Sequence, residues 1–96
     1  MAKATAFDAA DYLDSPEVIA EYLSEAFLTR DEKFIADAIG NVARARGMSE
    51  IARDTGLNRE SLYRSLSAQG HPELGTAMKV LDSLDMELVV RPKAAA

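Results

Sequence analysis

The apolar positions of this chain change period along its length. Val18, Ile19, Tyr22, Leu23, Ala26 and Phe27 recur at the spacing of one helical face, with Glu21 and Glu25 opposite. Ser15 can cap this helix, Pro16 suits its first position and Glu17 complements the dipole there. A shorter helix is predicted ahead of it, over Asp8 to Leu13. Thr29 and Glu32 stand at capping-box spacing before a second long stripe, Phe34, Ile35, Ala38, Ile39 and Val42. Gly47 is its predicted stop. Gly40 lies inside this stripe, where glycine costs about 1 kcal/mol relative to alanine, so a close approach of another backbone is expected there.

Beyond Gly47 the pieces shorten. Ser49 to Thr55 makes two turns, Gly56 breaks the helix, and Asn58 can cap another running to about Ser67. "AQGHPELG" is a loop signal. Leu74, Ala77, Leu81 and Leu84 mark a last helix. Met86, Leu88 and Val90 then alternate with Glu87, Val89 and Arg91 before Pro92, which predicts one short C-terminal β-strand. The expected fold is all-α, five to six helices plus that strand. It forms a single domain over 1–96, divided into N-terminal helices (1–46), a helical corner (47–67) and a final helix with the strand (73–91).

Composition narrows the chemistry. With no cysteine and one histidine, disulfides, thiolate zinc sites and cysteine nucleophiles are excluded. No apolar run approaches the ~20 residues of a membrane span. "MAKATAFDAADYL" lacks the apolar core of a signal peptide, so a cytoplasmic protein is expected. The net charge is −5, but it is unevenly spread. Residues 1–40 hold nine acidic and three basic groups, whereas residues 41–72 hold five arginines against three acids. An acidic chain that gathers arginine around one turn is presenting that turn to something negative.

The stretch "GMSEIARDTGLNRESLYRSL" meets the constraints of a helix-turn-helix. Ala52 is small where a second helix must cross, and Gly56 supplies a left-handed backbone. Ile51, Leu57, Leu62 and Leu66 face inward. The second helix then offers Asn58, Arg59, Glu60, Ser61 and Arg64, the end that enters the major groove in this motif. Arginine can bridge guanine O6 and N7, and Asn58 can either cap the helix or touch an adenine. Ser49, at the start of the first helix, can meet a phosphate. An ordinary helical hairpin with arginine outside is the plainer alternative.

"FDAADYL", "ARARGMSEIARDTGLNRESLYRSLS" and "GHPELGTAMKVLDSL" resemble the prophage addiction-module antidote family, the HigA-like antitoxins with a lambda Cro/repressor-like helix-turn-helix. The resemblance spans about Phe7 to Arg91. It implies an all-α fold with a short C-terminal strand, homodimerisation, binding of double-stranded operator DNA, and neutralisation of a small RNase-type toxin (RelE/HigB-like) encoded beside it. One departure is Asp85, where the family often has glycine, so the last helix is expected to end differently here.

Toxin binding is expected in the acidic N-terminal third, with Phe7, Tyr12 and Leu13 as apolar anchors and Asp8, Asp11 and Asp14 as charges that speed association. Dimerisation is expected through Met86, Leu88 and Val90, because a lone strand needs a partner for its backbone groups. No nucleophile elbow or metal-ligand spacing points to an enzyme, and no cofactor is expected. Two other readings stand beside the antitoxin. One is a stand-alone phage-type transcriptional repressor without a toxin. The other is an interaction module whose acidic helices bind a basic protein.

Overall fold

Helix caps and small residues set the architecture of residues 13–94, the part of the chain that the structure, a computed structural model, describes. Five helices follow one another: α1 (Pro16–Leu28), α2 (Glu32–Arg46), α3 (Met48–Thr55), α4 (Arg59–Ser65) and α5 (Leu74–Ser83). The helix predicted over Asp8 to Leu13 lies outside the described residues except for Leu13, which sits in a turn with its side chain buried.

α1 begins as its sequence predicts. The Val18 N–H donates to Ser15 Oγ at 3.1 Å, and Pro16 takes the first turn. Ile19, Leu23 and Ala26 are buried, whereas Val18, at the edge of the predicted stripe, is exposed. The capping box expected from Thr29 and Glu32 does not form. Asp31 caps α2 instead, its Oδ1 accepting from the N–H groups of Lys33 (3.0 Å) and Phe34 (3.3 Å). Thr29 is occupied in closing α1, donating its hydroxyl to the Ala26 carbonyl at 2.6 Å. A carboxylate placed directly before the helix reaches these amides without crossing that turn.

α2 is buried along Ala36, Ile39, Gly40 and Ala43 as well as Ala38 and Val42, an arc wide enough to serve two sets of neighbours. Phe34, predicted to be in the core, is exposed. At Gly40 the expected close approach is present: a Cβ there would lie 2.0 Å from the Leu66 carbonyl oxygen. Gly47, with φ of 119°, ends α2 and starts α3 without a loop. Ile19, Leu23, Ile39, Val42, Met48, Ile51, Leu62, Leu66, Val80, Leu81 and Leu84 belong to one apolar cluster drawn from all five helices and their caps. Leu74 stands outside it, exposed at the first position of α5.

Two expectations about the C-terminus are overturned. Asp85 was expected to change how α5 ends, yet it takes the left-handed conformation (φ 60°) that glycine usually supplies. Its N–H donates to the Asp82 carbonyl (3.0 Å) and the Met86 N–H to the Leu81 carbonyl (2.8 Å). These are the paired bonds of a Schellman ending, and Met86 packs against the core as its apolar anchor. The strand predicted over Met86 to Arg91 is not formed among the described residues. A strand exists through its ladder, and the helices offer it no edge.

Candidate nucleic-acid interface

The corner between α3 and α4 is built from local hydrogen bonds. Gly56, at φ 73°, turns the chain, and its N–H donates to the Ala52 carbonyl at 2.9 Å. Thr55 tightens the same turn: its hydroxyl donates to the Ile51 carbonyl (2.7 Å) and accepts from the Leu57 N–H (3.2 Å). Asn58 is extended and caps α4, Oδ1 accepting from the Ser61 N–H at 2.9 Å. Ile51, Leu62 and Leu66 are buried and Leu57 and Ala52 partly so, which fixes the crossing of the two helices. α4 is shorter than predicted, ending at Ser65. Gly70 comes back against that end so closely that a Cβ would lie 2.2 Å from the Ser65 carbonyl oxygen.

The outer face carries the six residues the sequence singled out. Ser49, Asn58, Arg59, Glu60, Ser61 and Arg64 are all exposed. Ser49 and Arg59 meet across the two helices, Nη1 donating to Oγ at 2.9 Å, while Arg64 Nη2 reaches Ser61 Oγ at 3.4 Å. The Arg59 guanidinium also lies over the Tyr63 ring, 5.7 Å from its centre. That contact orients the cation at an exposed site for about 0.5–1 kcal/mol, little enough for an anion to redirect it. Asn58 keeps its amide NH₂ for a second partner, since the cap uses only the oxygen. Glu60 contributes a negative charge to the same face. Beside α4 runs an open groove of about 610 Å³, walled by Asn58, Ser61 and Arg64 on one side and Gln69, His71 and Glu73 on the other. His71, the chain's one histidine, is exposed with Nδ1 3.5 Å from Glu32 Oε1. Among the described residues no cluster of His, Asp or Glu could hold a metal ion.

The arginines that cluster in sequence divide in space. Arg44 Nη1 donates to the Leu66 carbonyl at the end of α4 (3.3 Å), and its Nη2 to Asn41 Oδ1 (2.6 Å). Asn41 in turn donates to the Tyr22 hydroxyl at 2.9 Å, so a polar chain joins α1 to the end of α4. Arg46 Nη1 lies 3.4 Å from the Ser83 carbonyl, at the end of α5. Both cations satisfy helix C-termini, where carbonyls are orphaned and the dipole is negative. Only Arg53, Arg59 and Arg64 of the five belong to the α3–α4 pair. A one-dimensional charge pattern mixes these two uses.

A family model described as "Probable addiction module antidote protein" matches residues 3–92. The chain belongs to this antidote family. A Haemophilus influenzae protein described as uncharacterized is 45% identical over 85 residues, covering 88% of each chain. No solved structure matches. Membership supports an antitoxin role and implies a toxin as partner in general terms. It suggests a regulatory protein rather than an enzyme. No helix among the described residues is long and apolar enough to cross a membrane.

The residues expected at a toxin contact and at a dimer contact lie at the two ends of the chain. Phe7, Asp8, Asp11 and Tyr12 lie outside the described residues. Leu13 is buried in the antidote's own core and Asp14 is exposed. Glu17, Glu21 and Glu25 all lie exposed on α1, an acidic face the sequence already suggested. Of the residues expected at a dimer contact, Met86 packs on the core, whereas Leu88 and Val90 are exposed.

Proposed function

We propose that this chain is the antitoxin of a type II toxin–antitoxin module. It binds and neutralises a small RNase-type toxin of the RelE/HigB-like kind in the cytoplasm. As a homodimer it binds operator DNA through a lambda-repressor-like helix-turn-helix, α3 and α4, and represses its own operon. The observation that carries the DNA-binding half is the capped, exposed start of α4, with Arg59 and Arg64 on a surface otherwise free of apolar core residues. Family membership carries the antitoxin half.

In this reading Arg59 and Arg64 approach base edges, Ser49 and the amides at the start of α3 approach phosphate, and the amide NH₂ of Asn58 faces the groove. The acidic face of α1 receives the toxin, because an RNA-gripping toxin carries a cationic surface. Operator DNA and toxin then occupy different sides of one antitoxin. Titration of labelled upstream DNA at two salt concentrations tests the first part. Arg59→Ala or Arg64→Ala should weaken specific binding by about 1–3 kcal/mol if each reads a guanine. Unchanged affinity in both variants would remove α4 as the recognition helix. Charge reversal at Glu17, Glu21 and Glu25 together, followed by toxin pull-down, tests the second part. DNA affinity should survive that change.

A further inference from the structure

The short helix α4 is held at both ends, and its far end is fastened from α2. At its start the Asn58 cap and the bond from Arg59 to Ser49 place it against α3. Leu66, which closes α4, has a fully buried side chain. Its carbonyl lies against α2 where Gly40 has no side chain, and accepts from Arg44 Nη1 at 3.3 Å. The Arg44 guanidinium is itself oriented. Its Nη2 donates to Asn41 Oδ1 at 2.6 Å and stands 3.9 Å from Asp37 Oδ1. Asn41 in turn donates to the Tyr22 hydroxyl on α1. Arg44 thus commits the two arms of one planar fork to two acceptors, a geometry that a lysine ammonium does not reproduce.

We propose that Arg44 is a positioning residue for sequence-specific DNA recognition. By holding the Leu66 carbonyl it fixes the tilt of α4, and so the places where Arg59 and Arg64 meet base edges, without touching DNA itself. The proposal rests on the reading of α4 as the recognition helix. With seven residues α4 is only about 10 Å long, and Leu66 stands just beyond Arg64, so movement at the held end is carried to the arginines. Hydrogen bonds to base edges weaken steeply outside a narrow range of distance and angle. Attraction between a cation and the phosphate backbone tolerates displacement and carries no sequence information. A looser α4 therefore loses operator affinity and keeps its non-specific affinity. An Arg44 that instead met phosphate would serve every DNA sequence alike.

Titrating the full chain with labelled upstream duplex and with an unrelated duplex of equal length, each at several salt concentrations, separates the two roles. Circular dichroism confirms folding of each variant. Arg44→Ala and Arg44→Lys should each weaken binding of the upstream duplex roughly five- to twenty-fold. Arg44→Lys keeps the charge, so its loss reports geometry. Affinity for the unrelated duplex should stay within about twofold, and the salt slope should be unchanged. Asn41→Ala removes the partner of Nη2 without altering charge and should act in the same direction, more weakly. It carries the test should Arg44→Ala fail to fold. A fall in affinity for both duplexes, with a salt slope reduced by about one, would make Arg44 a phosphate contact and overturn the proposal. Unchanged specific binding in all three variants, with Arg59→Ala and Arg64→Ala still weakening it, would also overturn it and leave α4 as the recognition helix. A wild-type chain that binds both duplexes equally would remove the recognition-helix reading, and the proposal with it.

Discussion

The α3–α4 corner and the segment 86–91 are both short, and both were predicted from the spacing of a few residues. The corner forms as expected, whereas the segment makes no strand among the described residues. The difference lies in where the partners are. Gly56, Thr55 and Asn58 find every hydrogen-bond partner within four residues, and the leucines they orient meet a core already supplied by α2 and α5. The alternation from Met86 to Val90 specifies which side chains share a face, but a ladder needs a second backbone. Local chemistry is complete at the corner and incomplete at the tail.

That contrast can be broken most directly through the core. Ile51→Ala or Leu66→Ala should each cost about 2–5 kcal/mol, because both are fully buried and leave a cavity. Val90→Ala should leave the unfolding free energy within about 0.5 kcal/mol under dilute conditions where no second copy is bound. Urea unfolding followed by circular dichroism measures all three. A comparable loss from Val90→Ala would mean that the tail is already part of the fold of one chain.

The contact between α2 and the end of α4 is the next test. Gly40→Ala gains helix propensity of about 1 kcal/mol but drives a methyl group into the Leu66 backbone, where no flexible side chain can yield. Overpacking of this kind typically costs about 1–3 kcal/mol, so a net destabilisation is expected. A variant as stable as wild type would show that α4 can move away from α2. The Arg44 bond to the same carbonyl would then lengthen too.

Legibility in the sequence follows the same division. Ser15, Gly47, Gly56 and Asn58 act within a turn or two of their own positions, so a reader of the sequence can place them. The exposure of Phe34 and Leu74 could not be read, because helical periodicity says which residues align and not how far the neighbouring helix extends over them. Arg44 and Arg46 looked like part of one basic patch. Their acceptors, at Leu66 and Ser83, are 22 and 37 residues away and belong to helix ends that only the fold brings near. The six candidate DNA-facing residues were legible as a set because they flank a single turn. The Arg59 contact over Tyr63 had a signal of its own in the sequence, a spacing of four residues on α4.

Asn58 offers a smaller and more specific test at the corner. Its side chain caps a backbone N–H in the first turn of α4, and Asn58→Ala should cost about 1 kcal/mol of stability. Asn58→Asp keeps the acceptor and complements the dipole, so stability should be retained while a carboxylate replaces the exposed amide. If the corner serves DNA, Asn58→Asp should bind operator more weakly than wild type at equal stability. Equal binding would assign Asn58 to the fold alone.

A small stabilisation is expected at the junction where the formed and unformed regions meet. Asp85 holds φ at 60°, a conformation that disfavours any side chain, although aspartate tolerates it better than most. Asp85→Gly removes that penalty, while the freer unfolded chain takes back part of the gain. The net should be a stabilisation of up to about 1 kcal/mol, seen as a thermal midpoint raised by a few degrees. The Schellman bonds from Asp85 and Met86 need only the backbone, so they survive the change. A loss of stability instead would show that the Asp85 carboxylate makes a favourable interaction of its own. The α5 ending would then depend on aspartate as a residue, and the departure from glycine would be a gain for this chain.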